Sequence, residues 1–279
     1  EDVSISRPTS RLPWGVPVPG DDKHVMYVWF DALTCYLSGI GFSTDKKKFE
    51  HYWPADLQIV GKDNNRWHSI LWPAMLKSAG LELPKKVLVH SYILGRGGVK
   101  MSKTIGNVVD PIEIVGKYGT DAFRYFLSSK IIIENDGVFD EDYFREVYNA
   151  DLSNGLGNLV QRVAVMIDKY LDGIIPEGHT EVDMEPFERH MGSLGLHKAV
   201  EYIWSELKGL DQYIEEEKPW VLAKENPDKL GEVLGNLAAS IRELNKMIAP
   251  FMPDTSGKID KIFGGKKVKV SEPLFPRLS

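Results

Sequence analysis

The 279-residue sequence is poor in the residues that build disulfides and metal clusters. Cys35 is its only cysteine, so an internal disulfide is impossible and a zinc site made of several cysteines is excluded. The seven histidines include no H-x-x-x-H pair, which argues against metal ligation by this chain. A single cysteine also fits the reducing conditions of the cytoplasm.

Membrane spans and an excess of basic charge are absent as well. No apolar run is long enough to cross a bilayer, and the acidic start at residues 1–4 resembles neither a signal peptide nor a transit peptide. The net charge is -6, whereas a non-specific nucleic-acid binder is normally basic. We therefore expect a cytoplasmic protein with no membrane partner, and any contact with RNA would use local patches. Because the sequence starts without Met, it is expected to be a fragment or a processed chain.

Apolar segments of strand length alternate with helical patterns in the first third of the chain. The predicted strands are residues 25–30, 57–60 and 86–90, and the predicted helices are residues 31–40 and 64–79. This alternation predicts βαβ units with a parallel sheet, where ligands bind at the carboxyl ends of the strands. Trp29, Gly61 and Asp63 are predicted to lie at such ends.

The chain from residue 141 onward has an almost continuous helical pattern. The predicted helices are residues 141–172, 184–217, 227–249 and 253–263, and residues 273–276 should pack back onto them. The predicted fold class is therefore α/β followed by all-α, with a helical bundle as its second part.

Lys100-Met101-Ser102-Lys103-Thr104 is the most informative segment. It follows the glycine-rich residues 95–98 and precedes Gly106-Asn107, and glycines let a backbone move and approach a ligand closely. Two ammonium groups three residues apart can meet one polyanion, as is needed when a nucleoside triphosphate loses pyrophosphate. A bare K-x-x-K is usually a solvated pair, but this glycine-rich context favours a phosphate-binding loop.

Residues 98–111 resemble the signature loop of class I aminoacyl-tRNA synthetases. Further stretches are similar to the methionyl members of that family, in family order: residues 5–7, 27–34, 61–63 with His68 and 72–74, and 218–220. The resemblance covers nearly the whole chain. It implies that methionine is joined to ATP, a substrate accompanied by Mg²⁺, and is then transferred to tRNA-Met.

The resemblance implies a role for each matching residue. Lys103 would be the catalytic lysine, with Lys100 assisting it. The implied ATP-binding residues are Arg7, Gly61, Asp63, Ile93, Met101, Ser102 and Lys103. The implied methionine-binding residues are Trp29, Ala32, Tyr36, Asn64, His68 and Trp72. The implied contacts to the tRNA anticodon are Asn158, Arg162 and Trp220.

The sequence departs from the family pattern in two respects. Asn64 and Asn65 stand where the family usually has apolar residues, and the family's H-x-G-H element is absent. The resemblance therefore implies that the N-terminal half of the catalytic domain is missing and that this chain alone does not activate methionine.

The resemblance also implies a division into three parts. Residues 1–94 would be the second half of a Rossmann-like nucleotide-binding fold, residues 95–147 a lysine-loop and stem-contact module, and residues 148–279 a helical anticodon-binding bundle.

Several alternatives stay open at this point. The chain can be a non-catalytic tRNA-binding fragment, or part of a class I synthetase for leucine, isoleucine or valine. Trp29 and Trp72 can be plain core aromatics, and Asp63 can be a helix N-cap. Asn158 and Arg162, four residues apart on one helix face, can be an ordinary surface pair.

Overall fold

The structure is a computed structural model that describes residues 4–102, 104–270 and 272–278. The chain divides into two compact units, Glu1–Ser91 and Tyr92–Ser279, here called the N-terminal unit and the C-terminal unit. The predicted three-part division at residues 94 and 147 stays a prediction.

The N-terminal unit opens with a small antiparallel sheet. Strands β1 (Ser6–Pro8), β2 (Pro17–Val18) and β3 (Asp21–Met26) pair in the order β1-β3-β2. The helices α1 (Val28–Ala32), α2 (Cys35–Ser38) and α3 (Lys46–Tyr52) follow.

The predicted strand at residues 25–30 is wrong beyond Met26. Strand β1 begins at Ser6, which lies opposite Met26, so the β1–β3 ladder ends there. The backbone N–H of Phe30 donates to the carbonyl of Tyr27 at 2.8 Å instead, and Trp29 lies in a helix. A short apolar run is compatible with either state, and here the end of the ladder decides.

The rest of the N-terminal unit contains the predicted parallel pair. Strands β4 (Gln58–Gly61) and β5 (Val87–His90) form a two-stranded parallel sheet. A 3₁₀ turn (Lys62–Asn64), a π-helical turn (Trp67–Leu71) and helix α4 (Trp72–Ser78) connect them. The core of the unit consists of Leu33, Leu37, Trp53, Trp72 and Leu76.

The C-terminal unit begins with a second small sheet. Strand β6 (Ile93–Gly95) pairs antiparallel with β7 (Val99–Lys100) and parallel with β8 (Gly137–Val138). Helices α5 (Pro111–Tyr118) and α6 (Thr120–Lys130) lie between β7 and β8 in sequence. Asp110 caps α5 by accepting the N–H of Ile112 at 2.8 Å, with Pro111 at the first helical position.

The remainder of this unit is a helical bundle. Its helices are α7 (Glu141–Val147), α8 (Asn158–Leu171), α9 (Glu185–Gly192), α10 (Leu196–Glu217), α11 (Pro219–Glu225), α12 (Pro227–Ile248) and α13 (Pro253–Phe263). A π-helical segment, Tyr148–Gly157, joins α7 to α8, so the predicted helix at 141–172 is continuous. The predicted helix at 184–217 is instead split, since Leu194 between α9 and α10 has a φ of 62°.

One continuous apolar core holds the bundle together. Leu159, Val163, Ile203, Leu237 and Leu244 are among its fully buried residues. The C-terminal tail packs back as predicted, with Leu274 and Phe275 buried in this core. Across the residues that the structure describes, no helix combines the length and the hydropathy needed to cross a bilayer.

Candidate functional site

Four of the predicted methionine-binding side chains lie together in the N-terminal unit. Trp29, Tyr36, His68 and Trp72 are here called the aromatic slot. The ring centroids are 6.3 Å apart for Trp29 and His68, 5.7 Å for Tyr36 and His68, and 6.0 Å for Tyr36 and Trp72. His68 is only 3% exposed and Trp72 only 1%, whereas Trp29 is half-buried and Tyr36 is exposed. The slot therefore has a buried base and an accessible rim.

Hydrogen bonds fix the orientation of His68 at the base of the slot. Its Nδ1 lies 3.0 Å from the carbonyl oxygen of Asn64, and its Nε2 lies 2.9 Å from the hydroxyl of Tyr36. Because a carbonyl oxygen can only accept, Nδ1 carries the proton. In the neutral ring, Nε2 then accepts a hydrogen bond from the Tyr36 hydroxyl. This pairing places two hydrogen-bonded side chains inside an aromatic wall.

The environment also keeps Tyr36 uncharged. Burial raises the pKa of the Tyr36 hydroxyl, and the neighbouring Cys35 contributes in the same direction. The aromatic slot thus combines apolar surface with two polar side chains that already bond to each other, which suits a ligand group that carries no charge.

The π-helical turn Trp67–Leu71 positions a further ring that the sequence interpretation did not assign. Trp67 stacks on Trp29, with centroids 5.8 Å apart and planes 8° from parallel. Tyr27 meets Trp67 edge-on at 5.4 Å, and the guanidinium carbon of Arg7 lies 3.9 Å from the centroid of the Tyr27 ring. Single π-helical turns occur often at functional sites. The position of Trp67 next to His68 was the available signal, but α-helical spacing would not bring both to one site.

The other predicted residues of the N-terminal unit surround the slot elements. Ala32 is half-buried at the end of α1, and Asn64 contributes its backbone carbonyl. Gly61, and not Asp63, is the N-cap of the 3₁₀ turn, so the N-cap interpretation of Asp63 is wrong. The exposed Asp63 carboxylate lies over Gly61, where an added Cβ would be 3.2 Å from its Oδ1.

The lysine loop, residues 97–107, belongs to the C-terminal unit. Gly97 and Gly98 both have a φ of 73°, a conformation that other residues adopt at a cost. The Nζ of Lys100 lies 4.5 Å from the centroid of the Tyr92 ring. Met101 packs against the core of the unit. Lys103 lies outside the described residues.

Two hydrogen bonds hold the lysine loop around Ser102. The N–H of Ser102 donates to Oδ1 of Asn107 at 2.8 Å, and its hydroxyl accepts from the N–H of Thr104 at 3.2 Å. Ile93 is exposed at the start of β6. Asn107 is a second residue to which the sequence interpretation gave no role.

The predicted anticodon residues form a separate cluster in the same unit. Asn158 is exposed at the start of α8, and Arg162 follows one turn later. The guanidinium carbon of Arg162 lies 5.5 Å from the ring centroid of Trp220, which is 38% exposed near the start of α11. We call Asn158, Arg162 and Trp220 the bundle face.

Acidic side chains border the bundle face. Nη2 of Arg162 pairs with Oε1 of Glu215 at 2.6 Å. Burial raises the pKa of the Asp211 carboxyl, and the charge of Glu215 adds to that, whereas Arg162 opposes it. The cation of this face is therefore already engaged by a carboxylate in the free protein.

Cavities by themselves do not identify the site. A cavity of about 250 Å³ has Tyr36 in its wall, together with Trp53 and Gln58. A larger one of about 940 Å³ lies around residues 175–179 and 264–266 and includes none of the predicted site residues. Among the described residues, no group of three or more His, Cys, Asp or Glu side chains is arranged to hold a metal ion. The predicted site residues thus do not line the larger of these two cavities.

Comparison with known proteins finds one family. Residues 1–164 match the family model described as tRNA synthetases class I (M). The chain is 42% identical to the methionine–tRNA ligase of Caldanaerobacter subterraneus and 41% identical to that of Clostridium acetobutylicum. Each alignment covers 100% of this chain and 48% of the relative.

A solved structure is similar over almost the same extent. The methionyl-tRNA synthetase of Mycobacterium tuberculosis bound by methionyl-adenylate superposes with a TM-score of 0.87 at 36% identity. The match covers 99% of this chain and 60% of that protein. This chain thus spans about half the length of the curated relatives it matches.

Proposed function

The chain belongs to the class I (M) family of tRNA synthetases, and from that premise we propose that it is the C-terminal part of a methionine–tRNA ligase. In this function, ATP activates methionine as an adenylate, pyrophosphate leaves, and methionine passes to tRNA-Met. The N-terminal unit would be the second half of a Rossmann-like catalytic domain, and the first half would lie outside residues 1–279, since the chain covers 48% of each relative.

The aromatic slot carries the proposal for methionine. A thioether is uncharged and polarizable, and it makes favourable contacts with aromatic rings. Trp29 and Trp72 supply such rings, and the hydrogen-bonded pair of Tyr36 and His68 supplies polar atoms between them. A charged or strongly polar amino-acid side chain would lose its hydration there without compensation. Ala32 and Asn64 are proposed to complete the methionine site.

Glycines and cations carry the proposal for ATP with Mg²⁺. The carboxylate of Asp63, above Gly61, can accept hydrogen bonds from ribose hydroxyls, and Ile93 offers backbone atoms to adenine. Lys100, Met101, Ser102 and Lys103 would cover the triphosphate, with Lys103 as the catalytic lysine and Lys100 assisting. Positioned cations stabilise the charge that builds on the departing pyrophosphate. Arg7 is also proposed to bind ATP.

The bundle face is proposed to bind the anticodon of tRNA-Met. Single-stranded bases are recognised by stacking on aromatic rings and by amide or guanidinium contacts to their edges. Trp220 provides an accessible ring, and Asn158 and Arg162 provide the polar groups beside it.

The test is ATP–pyrophosphate exchange measured with methionine, leucine, isoleucine and valine. We expect exchange with methionine from a protein that extends this chain upstream in its reading frame, and none from residues 1–279 alone. A Tyr36→Phe variant should weaken exchange with methionine because His68 loses the donor to its Nε2. The matched control is Tyr52→Phe, an exposed tyrosine of α3 outside the slot.

The alternatives give different results in the same assay. Exchange with leucine, isoleucine or valine in preference to methionine would replace the proposed amino acid. Absence of exchange from the extended protein, with RNA binding retained, would favour a non-catalytic tRNA-binding protein.

A further inference from the structure

The side chain of Asn107 bridges two backbone groups of the lysine loop. Its Nδ2 donates to the carbonyl oxygen of Lys100 at 3.3 Å, and its Oδ1 accepts the N–H of Ser102 at 2.8 Å. One bond is made at each end of the Lys100–Met101–Ser102 segment. The carbonyl of Ser102 also accepts the N–H groups of Ile105 and Gly106, at 3.2 and 3.0 Å, so the chain turns back toward Asn107.

The surroundings of Asn107 are shaped for this contact. Gly95, in β6, lies beside it, and an added Cβ there would be only 3.3 Å from Nδ2 of Asn107. A side chain at residue 95 would therefore crowd the bridging amide. The bridge also requires one donor and one acceptor on the same short side chain, which an amide provides and a carboxylate or an aliphatic group does not.

We infer that Asn107 is a positioning residue, which fixes the backbone at residues 100–102 so that Lys100 and Ser102 face the same triphosphate. The inference rests on the proposed function, because it names the residue that orders the proposed triphosphate-binding loop. Asn107 itself is not proposed to contact the substrate. Its effect is to reduce the conformational freedom that the loop must lose when a polyanion binds.

The first experiment measures the bridge without any ligand. Amide hydrogen exchange is followed at Ser102 in residues 1–279, for the wild type and for Asn107→Ala and Asn107→Asp. Loss of one net hydrogen bond corresponds to about a fivefold change, so we expect at least about fivefold faster exchange in Asn107→Ala. Asn107→Asp keeps the acceptor for the Ser102 N–H and should keep that amide protected.

The chain offers a matched control. Asn149 also uses one amide to hold two backbone groups, with Nδ2 donating to the carbonyl of Leu278 at 3.1 Å and Oδ1 accepting its N–H at 2.9 Å. Asn149→Ala should speed exchange at Leu278 and leave Ser102 unchanged. Equal Ser102 exchange in the wild type and Asn107→Ala would overturn the inference.

The second experiment adds inorganic triphosphate as the probe and follows the amide signals of Lys100 and Ser102. We expect about fivefold weaker binding in Asn107→Ala, and weaker binding again in Asn107→Asp, which loses the donor to Lys100 and adds a negative charge. Faster Ser102 exchange with unchanged triphosphate affinity would overturn the positioning role. No binding by any variant, the wild type included, would overturn the inference, whereas the proposed function is tested separately by pyrophosphate exchange in the extended protein.

Discussion

The two units of this chain differ in how their candidate sites relate to their cores. In the N-terminal unit, Trp72 is both a member of the small core and a wall of the aromatic slot. In the C-terminal unit, the continuous core lies beneath the bundle face, where Asn158 and Trp220 reach the surface. The core and the candidate site thus share side chains in one unit and use different side chains in the other.

The small core of the N-terminal unit leaves little stability in reserve. Its parallel pair β4–β5 has only two strands, and Ile59 of β4 is 63% exposed. Parallel sheets are normally covered on both faces, and a two-stranded pair is rarely stable by itself. A substitution in the aromatic slot is therefore expected to affect folding as well as binding, whereas one in the bundle face is not.

The largest expected effect comes from Trp72→Ala. Removing a fully buried aromatic side chain costs about 3–5 kcal/mol, a large loss for a unit whose core is as small as that of the N-terminal unit. We expect the protection of that unit against hydrogen exchange to collapse, while α8 and α12 stay protected. Hydrogen exchange by mass spectrometry, read separately for each unit, measures both results.

Two control variants test this prediction further. In Trp72→Phe the loss should be smaller, because within the described structure the indole N–H has no hydrogen-bond partner to lose. Leu244→Ala, at a fully buried position of α12, should reverse the pattern and loosen only the C-terminal unit. Retained protection of the N-terminal unit in Trp72→Ala would separate its folding from its slot and contradict the comparison.

A buried carboxylate gives the next largest effect. Asp121, in the first turn of α6, is 7% exposed and accepts the N–H of Thr255 at 2.6 Å, at the start of α13. Hydrogen bonds to charged groups contribute about 1.5–3 kcal/mol, so Asp121→Ala should destabilise the C-terminal unit by that amount. Denaturant unfolding followed by circular dichroism measures it. RNA affinity under native conditions should not change, since Asp121 is not part of the bundle face.

The conservative variant identifies the cause. Asp121→Asn retains an oxygen that accepts from Thr255 and should keep part of the stability. If Asn and Ala are equally destabilising, the charge of Asp121, and not its hydrogen bond to Thr255, is what stabilises the start of α13.

The sequence predicted the C-terminal unit better than the N-terminal unit because the larger core leaves a clearer pattern in the sequence. Amphipathic patterns such as Leu159, Val163 and Ile167 report burial in a large core, and those helices form as expected. Residues 25–30 carry no such periodicity. The β1–β3 ladder ends at Met26 because β1 begins at Ser6, and this long-range pairing leaves Trp29 free to be helical.

The site residues show the same limit. Motif resemblance predicted His68 and Tyr36 as site residues. The hydrogen bond between His68 and the carbonyl of Asn64, which orients the histidine, could be found only in the structure. Trp67 reaches Trp29 through a π-helical turn, and regular helical spacing does not anticipate such a turn. Sequence motifs thus predicted side chains that lie together in the structure, and irregular backbone determines how they are arranged.

A pH-dependent effect of intermediate size is expected in the bundle. Tyr125 is 2% exposed and its hydroxyl donates to Oδ2 of Asp151 at 2.7 Å. Burial, and then the charge of Asp151, raise the pKa of Tyr125 far above its ordinary value of 10.0. Above pH 10 the unfolded chain therefore releases this proton while the folded protein keeps it. Stability should fall with rising pH by about 1.4 kcal/mol per unit from this group.

Unfolding by denaturant between pH 9 and pH 11 tests the sign of this effect. Tyr125→Phe should be less stable than the wild type at neutral pH, because it loses a hydrogen bond, but its stability should decline less steeply above pH 10. Tyr36→Phe is the comparison in the N-terminal unit, where the raised pKa comes from a less buried hydroxyl and the slope should change less. Parallel pH profiles of wild type and Tyr125→Phe would refute the assignment.

The smallest effect on stability is expected on the bundle face, from Glu215→Gln. Glu215 pairs with Arg162 at 2.6 Å, but its side chain is 61% exposed, and such surface pairs contribute about 0.2–1 kcal/mol. The melting temperature should therefore barely change. Under the proposed function, however, Arg162 is released for RNA, and a negative charge that repels phosphates is removed. We expect affinity for an RNA hairpin with a CAU loop to rise by up to about fivefold, the same energy expressed as a ratio of binding constants.

Glu185→Gln is the matched control, since Glu185 forms an exposed ion pair with Arg189 at 3.8 Å elsewhere in the C-terminal unit. It removes the same charge from the unit, so any gain due to net charge alone should appear in both variants and should disappear in high salt. A gain confined to Glu215→Gln, and larger for the CAU loop than for a scrambled loop, requires the Arg162 guanidinium at the bundle face. Equal gains in the two variants would reduce the bundle face to non-specific electrostatics. The two units would then still differ in how their candidate sites affect stability, but the bundle face would show no specific recognition of RNA.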